Sequence, residues 1–368
     1  MFRVGLLRLE ARPEPSRAAL LWTPFLAIAL TLVAGYALFA AIGKDPLTAL
    51  TFIFIAPLTT LRGLAELSVK ATPLILIATG LSIGFRAGIW NIGAEGQFTI
   101  GALAGGSVAL LFYPLGGLWL LIMMMLAGVL GGMAWAAIPA LLRNRYNANE
   151  ILVSLMLVYV ALLLLSVLVH GPLRDPQSFN FPESRLFQPG TLLPILIPRT
   201  RAHVGFLIAL GVVAAAAYLF KRHRLSFEAA VLGQAPDAAR FAGISEKRIV
   251  WTTLLISGGL AGLAGTFEAA GPVGQLVPSL PSGFGFSAII VAFLGRLQPV
   301  GILFAGLLLA LTHIGGEIAQ IAMSLPSATT QVFQGMILFF LLATDLLVNY
   351  RIRWRSRAMR PATHGKQP

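Results

Sequence analysis

The sequence predicts an all-α, polytopic membrane protein with about ten transmembrane helices and both termini in the cytoplasm. Three observations carry this: a large excess of apolar over charged residues, a succession of apolar runs close to bilayer length, and a lopsided distribution of basic residues between those runs. Hydrophobic residues make up 57% of the chain and charged residues 11%, with a mean hydropathy of +0.83. A soluble domain carries about a quarter charged residues, so lipid rather than water must solvate most of this surface. Thirty-eight Gly and 22 Pro fit membrane helices, where small residues let backbones approach closely. The chain has no Cys, which excludes a disulfide framework, a thiolate metal site and a thiol nucleophile.

A helix rises 1.5 Å per residue and the hydrocarbon core is about 30 Å thick, so a span needs about 20 apolar residues. Seven runs meet this plainly: Leu20–Ile42, Gly117–Leu142, Ile151–His170, His203–Phe220, Val250–Ala270, Val300–Ile321 and Val332–Val348. Three more are shorter or interrupted, namely Leu67–Phe85, Phe98–Tyr113 and Phe284–Leu294, which brings the expected count to ten. Leu47–Leu61 is apolar but short, and is expected to be interfacial or re-entrant. Placing the N-terminus inside puts 20 of the 27 Lys and Arg residues in cytoplasmic segments and leaves seven outside. That bias is the positive-inside signature, and it accounts for the net charge of +13 without a nucleic-acid partner. The basic N-terminus and the run from Leu20 resemble a signal peptide, with Ala37–Ala40 as a cleavage site. The run continues to Ile42, so an uncleaved anchor is expected.

The expected organisation is one transmembrane permease-like domain over residues 1–368, with a cytoplasmic N-terminus over 1–19 and a cytoplasmic tail over 349–368. Two polar stretches stand out between. Residues 171–202, with six prolines, form an external loop expected to pack as a cap. Residues 221–248 form a cytoplasmic loop.

Three motifs interrupt the apolar pattern. Asn91–Gln97 places Asn91, Glu95 and Gln97 with Gly93 and Gly96 in a region otherwise suited to lipid. Non-helical backbone at membrane depth survives only where protein or water satisfies it, so this break belongs near a pathway or gate. The alternative is a cytoplasmic turn with Glu95 solvated at a helix start. The second motif, Phe227–Ile244, reads as two short helices: Ser226 caps the first, Gly233 ends it, Pro236-Asp237 begins the second and Gly243 stops it. It either docks into a partner's groove or rests on headgroups. The third, around Gly283, Phe284 and Gly285 and continuing to Gly301, is a short span bracketed by Gly and Pro, and a broken segment in each half hints at inverted repeats.

Four acids fall in or beside spans: Glu95, Glu268, Glu317 and Asp345. They could serve an ion-coupled transporter as proton or sodium sites. His313 and Glu317 stand at i and i+4, but no second such pair completes a metal site or a catalytic pair. A phosphate-cradling Gly-x-x-x-x-Gly-Lys-Ser/Thr loop is absent from the sequence, so ATP hydrolysis is not expected on this chain. No cofactor is expected, and no enzymatic activity.

The string Phe85–Gln97 resembles the permease subunits of bacterial ABC importers for branched-chain amino acids, simple sugars and nucleosides, and specifically the nucleoside-type branch. The cytoplasmic loop matches the family pattern Gly-x-Asn-Pro-x-Ala-Ala-x-Tyr-Ala-Gly-Ile at Gly233, Pro236, Ala238, Ala239, Ala242, Gly243 and Ile244. Ala235 replaces the Asn and Phe241 the Tyr. Gly283–Gly301 is similar as well, with Ser287 where many relatives have Asp. The resemblance runs from about Pro46 to Val348. It implies a multi-pass subunit of the bacterial inner membrane, paired with a second permease subunit, an ABC ATPase and an extracytoplasmic substrate-binding lipoprotein. It also implies uptake of a nucleoside or related small polar solute, with sugars or branched-chain amino acids as alternatives. Asn91, Gly93, Glu95, Gly96, Gln97, Gly283, Phe284 and Gly285 become pathway candidates. Glu228, Gly233, Pro236, Asp237, Ala238, Ala239, Arg240 and Gly243 become the loop that couples to the ATPase.

Overall fold

The computed structural model describes residues 3–4, 7–11 and 17–354. Thirteen α-helices follow in order among the described residues: α1 (Arg17–Ala41), α2 (Pro46–Phe54), α3 (Leu61–Arg86), α4 (Ala94–Leu111), α5 (Leu118–Tyr146), α6 (Glu150–His170), α7 (Gly205–Arg222), α8 (Arg224–Gln234), α9 (Pro236–Phe241), α10 (Glu246–Glu268), α11 (Phe284–Leu294), α12 (Pro299–Met323) and α13 (Ser327–Asn349). Three short strands were not expected: β1 (Arg3–Val4), β2 (Leu7–Ala11) and β3 (Tyr350–Trp354). They form one antiparallel sheet in the order β1-β2-β3, with Leu7 opposite Trp354 and Ala11 opposite Tyr350. Residues 355–368, the rest of the expected cytoplasmic tail, lie outside the described residues, as does the side chain of Asp345.

Among the described residues, six helices are long and apolar enough to cross a bilayer: α3, α5, α6, α7, α12, and α10 with the π-helical turn Ala269–Val273 that extends it. The remaining expected crossings coincide with α1, α4, α11 and α13. Of these α11 has 11 residues, about 16 Å of helix, and is shorter than the hydrocarbon core. Over residues 47–61 the nine-residue α2 gives way to a 3-10 turn over Ala56–Leu58. Thr60 then starts α3 by accepting a hydrogen bond from the Gly63 N–H at 3.0 Å. α7 begins two residues later than expected, which leaves His203 in the preceding loop.

The helices fall into two compact units, one drawn from residues 1–50 and 325–368, the other Thr51–Ser324. In the first, α1 lies along α13, and a Cβ on Gly35 would meet the Phe333 ring at 2.5 Å. In the second, the core is built on α3, α4, α5 and α10, and glycine sets its spacing. Gly101, Gly105, Gly128, Gly132, Gly258 and Gly262 form a Gly-x-x-x-Gly pair on each of α4, α5 and α10. A Cβ on Gly101 would lie 2.1 Å from Gly262 Cα, and one on Gly132 would lie 2.1 Å from the Gly258 carbonyl oxygen. These backbones therefore touch directly, which is how helices associate where lipid supplies no hydrophobic drive.

Residues 171–202 fold back on the end of α10. Ser184, Phe187 and Leu193 donate their N–H groups to the carbonyls of Leu276, Gly274 and Ala270 at 3.0, 2.8 and 2.9 Å. Arg201 grips Glu66 of α3 through two hydrogen bonds of 2.9 and 2.6 Å, which hold its guanidinium above its ordinary value against the opposing effect of burial. His203 is buried beside them, its Nδ1 accepting from the Gly205 N–H at 3.2 Å, and burial pushes its imidazole down to about 4.

Candidate functional site

The break between α3 and α4 is fully partnered. α3 stops at Gly88, which takes the left-handed conformation (φ +72°) that glycine tolerates. The Ile89 N–H then reaches the Gly84 carbonyl at 2.9 Å and the Gly88 N–H the Phe85 carbonyl at 3.2 Å, completing a Schellman end. Asn91 closes the return. Its Oδ1 accepts from the Gly93 N–H (3.1 Å) and from Gln97 Nε2 (3.0 Å), while its Nδ2 donates to Gln97 Oε1 (2.8 Å) and to Ser257 Oγ of α10 (3.0 Å). Gly93 and Gly96 press on α6, where added Cβ atoms would meet Ser154 at 2.8 Å and Val158 at 3.0 Å.

Glu95 is buried and bonds across the fold. Its Oε1 accepts from the Gly283 N–H at 2.8 Å and its Oε2 from the Gly285 N–H at 2.5 Å. Those are the N-cap and second residues of α11, while Glu95 itself stands in the first turn of α4. One carboxylate thus sits between two helix N-termini, where two positive dipole ends and orphan N–H groups favour it. The packing is equally tight: a Cβ on Gly285 would lie 2.2 Å from the Glu95 backbone nitrogen, and the Phe284 and Phe98 rings meet at 5.8 Å. The motifs at 91–97 and 283–285, separated by nearly two hundred residues, are one joint. The alternative with Glu95 solvated in a turn does not describe it.

The loop over residues 221–248 forms α8 and α9 as two short helices, with details that differ from expectation. His223, not Ser226, caps α8: its Nδ1 accepts from the Leu225 N–H at 3.1 Å. The buried Ser226 instead receives a 3.4 Å hydrogen bond from Arg86 at the end of α3. Gly233 lies within the last turn of α8 rather than ending it, and its lack of a side chain allows a backbone contact. A Cβ there would lie 2.2 Å from the Arg86 carbonyl oxygen. Pro236 opens α9, and Gly243 (φ +73°) follows it in a second Schellman end, with Ile244 N–H on the Ala239 carbonyl at 2.9 Å.

The small residues of this loop divide between two faces. Ala239 is buried in a cluster with Ala87, Ile89, Leu232 and Val250, so it and Gly233 anchor the loop to the α3–α4 break. Pro236, Asp237, Ala238, Arg240 and Gly243 face outward, while Glu228 takes a 2.5 Å hydrogen bond from Arg224. Phe241 is 97% exposed on the outward face. The pattern comparison registered it only as a replacement for Tyr; an aromatic beside an alanine pair is the sequence signal that could have marked it.

A third group of polar side chains gathers where α3, α10 and α12 meet the loop before α7. Lys70 Nζ lies 3.7 Å from Glu317 Oε1 and 5.6 Å from the centre of the Phe284 ring. Glu317 therefore pairs across helices to α3. Glu268, at the end of α10, feels the charges of Lys70 and Arg201.

The family described as "Branched-chain amino acid transport system / permease component" matches residues 63–342. A glucose ABC transporter permease protein, TsgB13 of Haloferax volcanii, is 35% identical over 360 residues, covering 94% of both chains. The guanosine ABC transporter permease protein NupP of Bacillus subtilis is 28% identical, covering 88% of this chain and 93% of its own. The nucleoside ABC transporter permease protein NupB of Lactococcus lactis is 27% identical over 86% and 89%. No solved structure matches the chain. The chain therefore belongs to this permease family, and is a multi-pass membrane permease component of an ABC transporter.

Proposed function

We propose that this chain is the translocation subunit of an ATP-driven importer, that a separate ATPase engages it through α8 and α9, and that its cargo is a small polar solute bearing ring hydroxyls. The observation that carries this reading is the two-faced build of the cytoplasmic loop. Its inner face is locked to the α3–α4 break by backbone contact at Gly233 and burial of Ala239, and its outer face presents Phe241. A push on that outer face passes to Arg86, Gly88 and so to the joint that Glu95 makes with α11. A headgroup-resting linker has no need of a backbone contact whose Cβ clearance is 2.2 Å.

Ten crossings with both termini inside are part of this reading, one of them made by α11 together with the non-helical segment that precedes it. The pairing of β2 with β3 supports it, since two chain ends joined in one sheet require an even number of crossings between them. A second permease subunit and an external substrate-binding lipoprotein complete the importer. On cargo, a relative named for glucose and two named for nucleosides share a hydroxyl-bearing sugar ring, so that ring is the common chemistry. Cysteine cross-linking tests the docking: Phe241→Cys, in a chain without native cysteine, should form a disulfide with a cysteine placed in the ATPase groove. Failure to cross-link at any groove position in a complex that still couples hydrolysis to uptake would contradict it.

A further inference from the structure

We propose that Glu268, with Glu317 and Lys70, forms a binding station for the hydroxyl groups of the transported solute. This rests on the importer reading above. Glu268 is only 8% exposed, yet its carboxylate makes no hydrogen bond and no ion pair among the described residues. A buried carboxylate without donors is costly, and buried polar groups are otherwise almost always paired. Glu95, also buried, shows what pairing looks like in this fold, with two N–H donors on its two oxygens. Glu268 has none among the described residues. The site is set up to accept hydrogen bonds from something that is not part of the chain.

The neighbours define what that something is. Glu66, Lys70, Arg201, Glu268 and Glu317 are three acids and two bases. Arg201 is occupied by Glu66, and Lys70 by Glu317 and the Phe284 face, so their charges act on Glu268 without either donating a hydrogen bond to it. Two carboxyl groups and an ammonium offer acceptors and a donor within one cluster. Adjacent hydroxyls, each both donor and acceptor, match that set. Lys70 lies nine residues into α3, about 14 Å from its outer end, so the station lies below the external cap and not on its surface. Ionisable groups at such depth mark solute pathways in transporters.

Cysteine accessibility in the assembled importer tests this without depending on ATP. Glu268→Cys should react with a water-soluble methanethiosulfonate at least about tenfold faster than Ala264→Cys, one turn deeper and fully buried, as read by mass spectrometry of the α10 peptide. Guanosine, glucose or riboflavin, the compounds for which relatives are named, should slow labelling of Glu317→Cys, which keeps Glu268 in place, whereas 2′,3′-dideoxyguanosine should not. The Glu317 side chain is 55% exposed on α12, so the protection test stands even if Glu268→Cys does not insert. Equal labelling at 264 and 268, protection by none of the three compounds, or equal protection by the dideoxynucleoside overturns the proposal. Failure of the importer reading would show separately, as uptake that does not need ATP while protection persists.

Discussion

Replacing Glu95 with Ala removes the acceptor of the N–H groups of Gly283 and Gly285. Each is a hydrogen bond to a charged group in a buried site, worth about 1.5–3 kcal/mol, and their joint loss is about 4 kcal/mol after allowing for some relaxation. At about 1.4 kcal/mol per factor of ten, the start of α11 should open about a thousandfold more often. Hydrogen exchange of the peptide spanning Gly283–Phe286, in nanodiscs, reads this directly. Glu95→Gln keeps one carbonyl acceptor and loses the charge, so its effect should be about half in free energy, or about thirtyfold in exchange. Uptake should fall in the same order, Ala before Gln. Exchange in Glu95→Ala within about threefold of wild type would refute the joint. Uptake abolished equally by Gln and Ala, with exchange unchanged, would instead mark Glu95 as a proton or ion site.

Three further expectations follow from the packing and from burial. Gly233→Ala places a Cβ against the Arg86 carbonyl and should uncouple ATP hydrolysis from uptake at normal abundance, while Gly211→Ala, which meets open space, should leave both unchanged. Phe241→Ala should weaken capture of the ATPase in pull-down assays more than Arg240→Ala, because Arg240's contacts to Asp237 and Glu246 at 3.8 and 3.6 Å are exposed ion pairs worth little. For His203, burial lowers the folded-state value from 6.5 to about 4, so between those limits the unfolded cap binds the extra proton and stability falls as pH falls. The loss should begin near pH 6.5, level off below pH 4 and total about 3 kcal/mol. His203→Gln should flatten that slope in a thermal-stability series, and an unchanged slope would contradict the assignment.

Periodic apolar runs carried most of the fold into view, because a bilayer demands their length whatever they pack against. Phe284–Leu294 reappears as α11 with the expected bounds, and residues 171–202 pack against the end of α10. What stayed hidden was mostly long-range. Nothing local to Glu95 announces that its partners are Gly283 and Gly285. The Gly-x-x-x-Gly pairs on α4, α5 and α10 were legible as spacing and pass unnoticed when glycine is only counted. His223 took the cap expected of Ser226 because an imidazole nitrogen can accept as a hydroxyl does, a choice that propensity ranks low. Tyr350–Trp354 alternates aromatic or aliphatic residues with arginine, a strand signal, yet basic residues beside a span read first as an orientation signal. The direction faced by Ala239 could not be read at all, since on a six-residue helix small and charged residues give no periodicity to follow.

The central claim is that this chain moves solute only when a partner hydrolyses ATP and pushes on α8 and α9. Uptake of labelled guanosine and glucose into proteoliposomes tests it, comparing the assembled complex supplied with ATP against the purified chain supplied with proton or sodium gradients. The account requires uptake by the complex that stops with a non-hydrolysable nucleotide or with Gly233→Ala, and none by the chain alone. Gradient-driven uptake by the chain alone would contradict it.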